Sequence, residues 1–431
     1  MIAFFCLSAA TAHAICEGPD GLIDPDCGSG GASTNSLWWL PSSSGGWSND
    51  NNWALDSLSS SLSGHPTSPA GNNIGFYLHF GYAAGAANTN STDDIGSLQI
   101  LGLDFGSGTN NLTIASGNSL TITPTAGVVP TPSTYIQVAS GGSAFIDVQG
   151  TLSANLTNGT VGADIGVHGG TFNVNSNMSI GSLAGNSTGT VNLNANLTVG
   201  TTNLSTVFSG GIGGNGSLTK VGTGTLELNG NNGYSGTTTV NAGTLRVNSV
   251  PGGSATGSGD VTVNSGATIA GTGNVGNLAV NFGGTLAPGN STGAFSVAGH
   301  LDLAGTLAIQ LGGTTQGSYD QVVVGFGATL YSPTLSLSLV GGFTPTVGQQ
   351  FVIIQNNSPI GLGGAIYPIT GSFSNGSTVT DDQGNVYSIT FLPFPSEVIL
   401  TDISVVPEPA TWLLLTVGAA GSLLGRLRRR R

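Results

Sequence analysis

Gly170-Thr171-Phe172-Asn173-Val174-Asn175-Ser176-Asn177-Met178-Ser179-Ile180-Gly181 returns nineteen positions later as Gly189-Thr190-Val191-Asn192-Leu193-Asn194-Ala195-Asn196-Leu197-Thr198-Val199-Gly200. In the first copy Phe172, Val174, Met178 and Ile180 alternate with Asn173, Asn175 and Ser179, the period of two that sends one set of side chains inward and the other outward along a strand. Gly and Asn between the alternating runs supply turns. A second pair, Gly224-Thr225-Leu226-Glu227-Leu228 and Gly243-Thr244-Leu245-Arg246-Val247, is again nineteen apart. Related starts at Gly150, Gly266, Gly284, Gly305 and Gly327 keep adjacent members 18 to 23 residues apart.

A repeat near 20 residues built from short strands predicts a solenoid, each unit supplying one coil. A single coil cannot bury its apolar side, so stacking on its neighbours must supply both the core and the backbone ladder. Helical periodicity is absent outside the termini. The expected fold class is all-β, a right-handed parallel β-helix over 116–329. An array of small β-sandwiches is the other reading, disfavoured because the repeat is too short for seven strands.

The flanks differ in kind. Residues 15–115 carry Trp38, Trp39, Trp47 and Trp53 with irregular Ser, Gly and Asn spacing, as expected of an N-terminal cap over the first coil. Residues 330–404 read as longer alternating strands at 335–340, 351–354, 386–391 and 398–403, predicting a β-sandwich-like unit at the C-terminal end. Thr380-Asp381-Asp382-Gln383-Gly384-Asn385 fits a hairpin connection.

Charge excludes whole classes of partner. Five of the seven Lys and Arg lie in the last six residues, so 1–425 hold only Lys220 and Arg246 against 20 acids, a net charge of −18. Nucleic acid is not a plausible partner for such a surface. Charged residues are scarce, 72 glycines and abundant Asn, Ser and Thr take their place, and regular Val, Leu and Ile provide for a long thin core.

The last 27 residues have three parts: Val405-Val406-Pro407-Glu408-Pro409, an apolar run from Ala410 to Gly425, and Arg426-Leu427-Arg428-Arg429-Arg430-Arg431. The Pro-Glu-Pro break ends regular structure, a short apolar helix enters a bilayer, and the arginines stay cytoplasmic by the positive-inside rule. This order resembles the PEP-CTERM sorting signal of exopolysaccharide-producing Gram-negative bacteria. The resemblance implies that an exosortase in the inner membrane cuts near Pro407, Glu408 and Pro409, leaves Arg426, Arg428, Arg429, Arg430 and Arg431 behind, and releases the protein towards the cell surface. A permanent tail anchor is the alternative. The sixteen residues from Ala410 to Gly425 fall just short of the roughly 17 to 25 that a span needs, and Gly418, Gly421 and Gly425 weaken the helix.

At the other end, 1–14 read as a signal peptide, an apolar stretch from Ile2 to Ala10 followed by Ala12-His13-Ala14. No Lys or Arg precedes that stretch, which leaves two readings open, an incomplete start or an atypical signal. Cleavage after Ala14 would leave Cys16 and Cys27, eleven positions apart, to form a disulfide in an oxidising compartment or to attach to another group. Residues 216–249, with Asn232-Gly233-Tyr234-Ser235-Gly236 and Val240-Asn241-Ala242-Gly243-Thr244-Leu245, are similar to the autotransporter-associated β-strand repeat. That resemblance implies a passenger-like β-helix exposed on or shed from the cell. It does not imply an autotransporter, because the sorting tail stands where a membrane barrel would have to be.

Little in the chain points to catalysis. Lys220 and Arg246 are the only basic residues that could face a substrate, and the solenoid acids Asp147, Asp164, Glu227, Asp260, Asp302 and Asp320 are dispersed. Asp147 and Asp164, seventeen apart, would meet if they fell on adjacent coils and are the one carboxylate pair that a glycosidase-like mechanism could use. His65, His79, His168 and His300 lack metal-type spacing and are expected to be lone surface histidines, while the acids at 20–26 and 381–382 lack a calcium-loop register, so turn chemistry accounts for those acids. Neither cofactor nor metal is expected. Trp38, Trp39, Trp47 and Trp53 either seal the solenoid end or stack on sugar rings. Asn-x-Ser/Thr triplets at Asn111, Asn155, Asn196 and Asn290 are expected by composition, with glycosylation as the functional alternative. The expected function is a non-catalytic exported surface or matrix protein, handled by an exosortase-type enzyme, passing transiently through the inner membrane and associating with exopolysaccharide. The alternative is a polysaccharide-binding or polysaccharide-degrading β-helix.

Overall fold

The computed structural model describes residues 109–122, 143–156, 162–248, 252–357, 368–392 and 396–404, together with separate strands between residues 36 and 138. All regular structure among the described residues is β. The chain winds through short strands, and each strand pairs in parallel with its counterpart one turn on. From Asp164–Val167 it passes to Thr171–Val174 and Met178–Ile180 before Leu183–Gly185 returns beside the first. Three faces result. One is a single 13-stranded sheet from Ser44–Gly46 to Thr334–Leu339, and a second is a nine-stranded sheet from Met178–Ile180 to Ile369–Ser372.

The repeat seen in the sequence is the stacking register itself. Phe172 lies opposite Val191, Val174 opposite Leu193, Met178 opposite Leu197 and Ile180 opposite Val199. The second pair behaves alike, Leu226 opposite Leu245 and Leu228 opposite Val247. Every one of these apolar side chains is buried, so each coil contributes a thin layer to one continuous core. Gly222 shows how tightly a corner is drawn. Its φ of +69° lies in the left-handed region, and a Cβ there would run into the Gly200 carbonyl oxygen of the preceding coil.

Outward side chains are stacked as well. Asn192 Nδ2 donates to Asn173 Oδ1 at 2.8 Å, and Asn194 Nδ2 to Asn175 Oδ1 at 2.8 Å. Asn264 Nδ2 donates to Asn241 Oδ1 at 2.7 Å, and Asn281 Nδ2 to Asn264 Oδ1 at 2.8 Å. Asn recurs because its side chain carries both donor and acceptor, so identical residues one coil apart satisfy each other.

The third face changes along the axis. A six-stranded sheet ends at Gly211–Gly214, and a seven-stranded sheet begins only at Asn274–Val275. Between them the segment around Asn232 and Tyr234 bridges the gap. Asn232 Oδ1 accepts from Ile212 N–H at 2.8 Å, and its Nδ2 donates to the Ala255 carbonyl at 2.6 Å. A side-chain amide thus adds to the backbone bonds from Gly233 N–H to the Ile212 carbonyl and from Asn232 N–H to the Ser254 carbonyl in tying the coil below to the coil above. Tyr234 is fully buried beside it, its hydroxyl 2.6 Å from Thr238 Oγ1. Burial raises the Tyr234 pKa, so the phenol stays neutral.

The ends extend the coil stack further than the sequence suggests. Within the expected cap, Tyr77–Phe80 pairs in parallel with both Ser36–Trp39 and Gly102–Phe105, and Asn88–Asp93 pairs in parallel with Thr109–Ile114. Asn-Thr-Asn-Ser-Thr-Asp carries no apolar alternation, but backbone hydrogen bonds do not depend on it. At the other end, parallel pairing runs past residue 329 through Thr334–Leu339 and Ile369–Ser372. The expected separate unit over 330–404 is continuous with the solenoid. Glu397–Asp402, Val386–Leu392 and Thr378–Thr380 add antiparallel strands to the seven-stranded sheet through Gln350–Asn356. Tyr319, Phe343 and Tyr387 pack edge-on around Phe351 and close the core there.

Candidate functional site

The sorting residues Pro407, Glu408, Pro409, Arg426, Arg428, Arg429, Arg430 and Arg431 lie outside the described residues, as do Cys16, Cys27 and Trp47. Trp38 and Trp39 fall in Ser36–Trp39, and Trp53 falls in Trp53–Ala54. The two strands pair antiparallel with Trp39 opposite Trp53, and Trp38 also stands opposite His79. Three of the four tryptophans therefore share the outer strands of one five-stranded sheet.

Asp147 and Asp164 do come to neighbouring strands, but not opposite one another. Asp147 faces Gly166 and Asp164 faces Phe145. Each has its own partner. Asp147 Oδ1 lies 2.7 Å from His168 Nδ1 and its Oδ2 accepts from Gln149 Nε2 at 2.9 Å, while Asp164 Oδ1 accepts from Thr202 Oγ1 at 2.9 Å. His168 is thus one arm of a hydrogen-bonded contact spanning one coil rather than a lone surface histidine. His300 is similar, with Nε2 3.0 Å from Thr329 Oγ1 and 3.5 Å from Asp302 Oδ1.

The two basic residues of the body do different things. Arg246 remains outside, Nη1 donating to Asn290 Oδ1 at 2.8 Å and Nε 4.0 Å from Glu227 Oε2. Lys220, read from the sequence as able to face a substrate, is inside. It is 1 % exposed and donates to the carbonyls of Val221 at 2.6 Å, Gly222 at 3.0 Å and Ala242 at 3.3 Å. Strand alternation dictates this, since Leu218 and Lys220 point inward and Thr219 outward. Burial lowers its pKa. The ammonium ties a corner together and has no access to a ligand.

Two carboxylates near the C-terminal end are tuned in opposite directions. Asp320 is almost fully buried, and burial pushes its pKa up to about 7 although it accepts from Gln310 N–H at 2.8 Å and Gly293 N–H at 3.0 Å. At Asp381 burial also acts upward. There the hydrogen bonds win: Asn385 donates from Nδ2 and from its backbone, Gln383 from its backbone and Tyr387 from its hydroxyl, and together they hold the carboxyl below its usual range. All four donors belong to the hairpin, so Asp381 is a turn residue. No group of three or more His, Cys, Asp or Glu able to hold a metal occurs among the described residues.

An open groove of about 490 Å³ runs along the start of the seven-stranded sheet, lined by Thr272, Asn274, Ser296, Val323 and Asn357. Among the described residues its lining has no ionisable side chain. Asn232, Tyr234 and Asp320 are among the polar interior residues to which sequence reasoning gave no role. For the first two the signal was present, since both lie in the Asn-Gly-Tyr-Ser-Gly stretch. Asp320 carries no such mark.

Known families match the chain in two places. Residues 218–247 match the Passenger-associated-transport-repeat, and 405–430 match the PEP-CTERM protein-sorting motif. No curated protein matches the chain. The first match covers the coil in which Asn232, Tyr234 and Lys220 are interior. With its two resemblances thus matched, the chain is that of an exported, envelope-sorted protein of the Gram-negative type, a β-solenoid carrying a passenger-type repeat and a terminal signal for an exosortase-type enzyme.

Proposed function

We propose that the mature protein is a non-catalytic component of the cell surface or extracellular matrix, retained in or beside exopolysaccharide. In this reading the solenoid is right-handed, and 410–425 form a short membrane helix that is discarded with the arginines once the chain is cut near Pro407. Cys16 and Cys27 form a disulfide near the mature N-terminus.

The observation that carries the non-catalytic reading is how the acids are used. Asp147, Asp164, Glu227, Asp320 and Asp381 each engage a separate structural partner. A long body with few charges and stacked amides is suited to bulk, persistence and weak multivalent contact with a hydroxyl-rich polymer.

Incubation with exopolysaccharide purified from the producing cells tests this reading. Unchanged polymer length is expected. Chain shortening that disappears in Asp147→Asn or Asp164→Asn would replace the structural role by an enzymatic one.

A further inference from the structure

Phe145 lies on the solvent side of Ser143–Val148, two residues before Asp147, and is only partly buried. Opposite it on the next coil is Asp164, and diagonal to it is Gly166. A Cβ at Gly166 would lie 2.5 Å from Phe145 Cζ and 2.9 Å from His168 Cε1. The phenyl ring therefore lies down across the neighbouring strand, in the space the glycine leaves, with its tip beside the imidazole. Polar groups border it on two sides. Asp147, held by His168 and Gln149, stands along the strand, and Asp164, held by Thr202, stands across from it. His168 is 42 % exposed and Asp147 is 19 % exposed in their side chains, so this border is open to solvent.

We propose that Phe145, Asp147, Gln149, His168 and Asp164 form a subsite for one neutral pyranose unit of a polysaccharide. The assignment rests on the reading of the protein as exopolysaccharide-associated and names where a sugar is held. The C–H face of a pyranose stacks on the ring, as apolar faces do on aromatic platforms. Each carboxylate has more lone-pair positions than its present partners fill, so sugar hydroxyls donate to Asp147 and Asp164 without displacing His168 or Thr202. Two carboxylates beside the ring, on a body of net charge −18, disfavour uronates and sulfated sugars. His168 and Gln149 are positioning residues that fix the Asp147 carboxylate.

Affinity electrophoresis of the secreted protein tests the subsite, in gels containing the producing cell's own exopolysaccharide, dextran or polygalacturonate. The wild type is expected to be retarded by the producing cell's exopolysaccharide or by dextran and not by polygalacturonate. Phe145→Ala weakens retardation at least about fivefold, Phe145→Trp restores it, and Asp147→Asn weakens it. Circular dichroism and the unfolding midpoint establish that the variants are folded. Folded Phe145→Ala that migrates like wild type overturns the subsite, as does a wild type retarded in no gel or only by polygalacturonate. Cell fractionation separates this from the underlying reading. A wild type that reaches the matrix yet binds equally well without Phe145 defeats the subsite alone, whereas one confined to the inner membrane defeats the surface role.

Discussion

The coils from Asp164 to Gly214 and the coil from Leu218 to Val247 reach the same stacking by different means. In the first set the asparagines lie outside, paired coil to coil, and the interior is filled by Phe172, Val174, Ile180, Leu193 and Val199. In the second, the third face has no strand, and an asparagine, a tyrosine and a lysine are inside, each bonded to backbone or hydroxyl groups of the same or a neighbouring coil. The comparison teaches that a solenoid can lose a strand from one face if a few backbone bonds, such as Gly233 N–H to the Ile212 carbonyl, are joined by a side-chain amide and a ring fills the volume.

Tyr234→Ala should break this comparison most severely. It empties a fully buried ring site and should cost roughly 3–5 kcal/mol, the range for large aromatics truncated in cores, read from the urea midpoint. Tyr234→Phe keeps the volume and loses only the contact with Thr238 Oγ1, so about 1 kcal/mol is expected. Next is Asn232→Ala, which leaves Ile212 N–H and the Ala255 carbonyl without their side-chain partner inside the stack. About 2–4 kcal/mol should be lost, with amide exchange accelerating at Ile212 before it does at Val191. Asn192→Ala sharpens the comparison from the other side. Removing one exposed rung should shift stability by less than about 1 kcal/mol, and a loss as large as that of Asn232→Ala would erase the distinction between outer and inner amides.

Acidity probes buried polar groups elsewhere in the stack. Asp320 has a folded pKa near 7 against an ordinary 3.8, so the folded chain binds its proton more tightly than the unfolded chain does. Its contribution is fully present below about 3.8 and is lost as pH rises through about 7. Asp381 acts in the opposite sense. Its pKa is depressed, so its stabilisation is present above the ordinary value of 3.8 and is lost as pH falls through the lower folded value. The thermal midpoint of the C-terminal coils should therefore rise on acidification from pH 8 towards about 4 and fall below that. Asp320→Asn should flatten the upper limb and leave the acid limb unchanged.

Much of the architecture was legible because adjacent coils repeat the same inward residues, as Phe172 with Val191 and Leu226 with Leu245 show. Lys220 was legible too, had alternation been weighed above charge, because Leu218-Thr219-Lys220 places it on the inward side. Asp147 and His168 are 21 residues apart, about one coil, and that spacing foretold their contact better than the seventeen between Asp147 and Asp164 foretold theirs. The parallel strands before residue 115 were not legible, since polar runs such as 88–93 lack the apolar alternation that marks the inner coils in the sequence. Nor was the lying-down geometry of Phe145, which depends on Gly166 being diagonal to it on the next coil.

The tail match at 405–430 ties the whole body to export and processing. Mass spectrometry of the mature C-terminus, performed on separated inner-membrane, surface and extracellular fractions, tests that link most directly. The account predicts a chain ending near Pro407-Glu408-Pro409, without Arg426 to Arg431, in the surface or extracellular fraction. An intact chain ending in Arg431 and held in the inner membrane would contradict it.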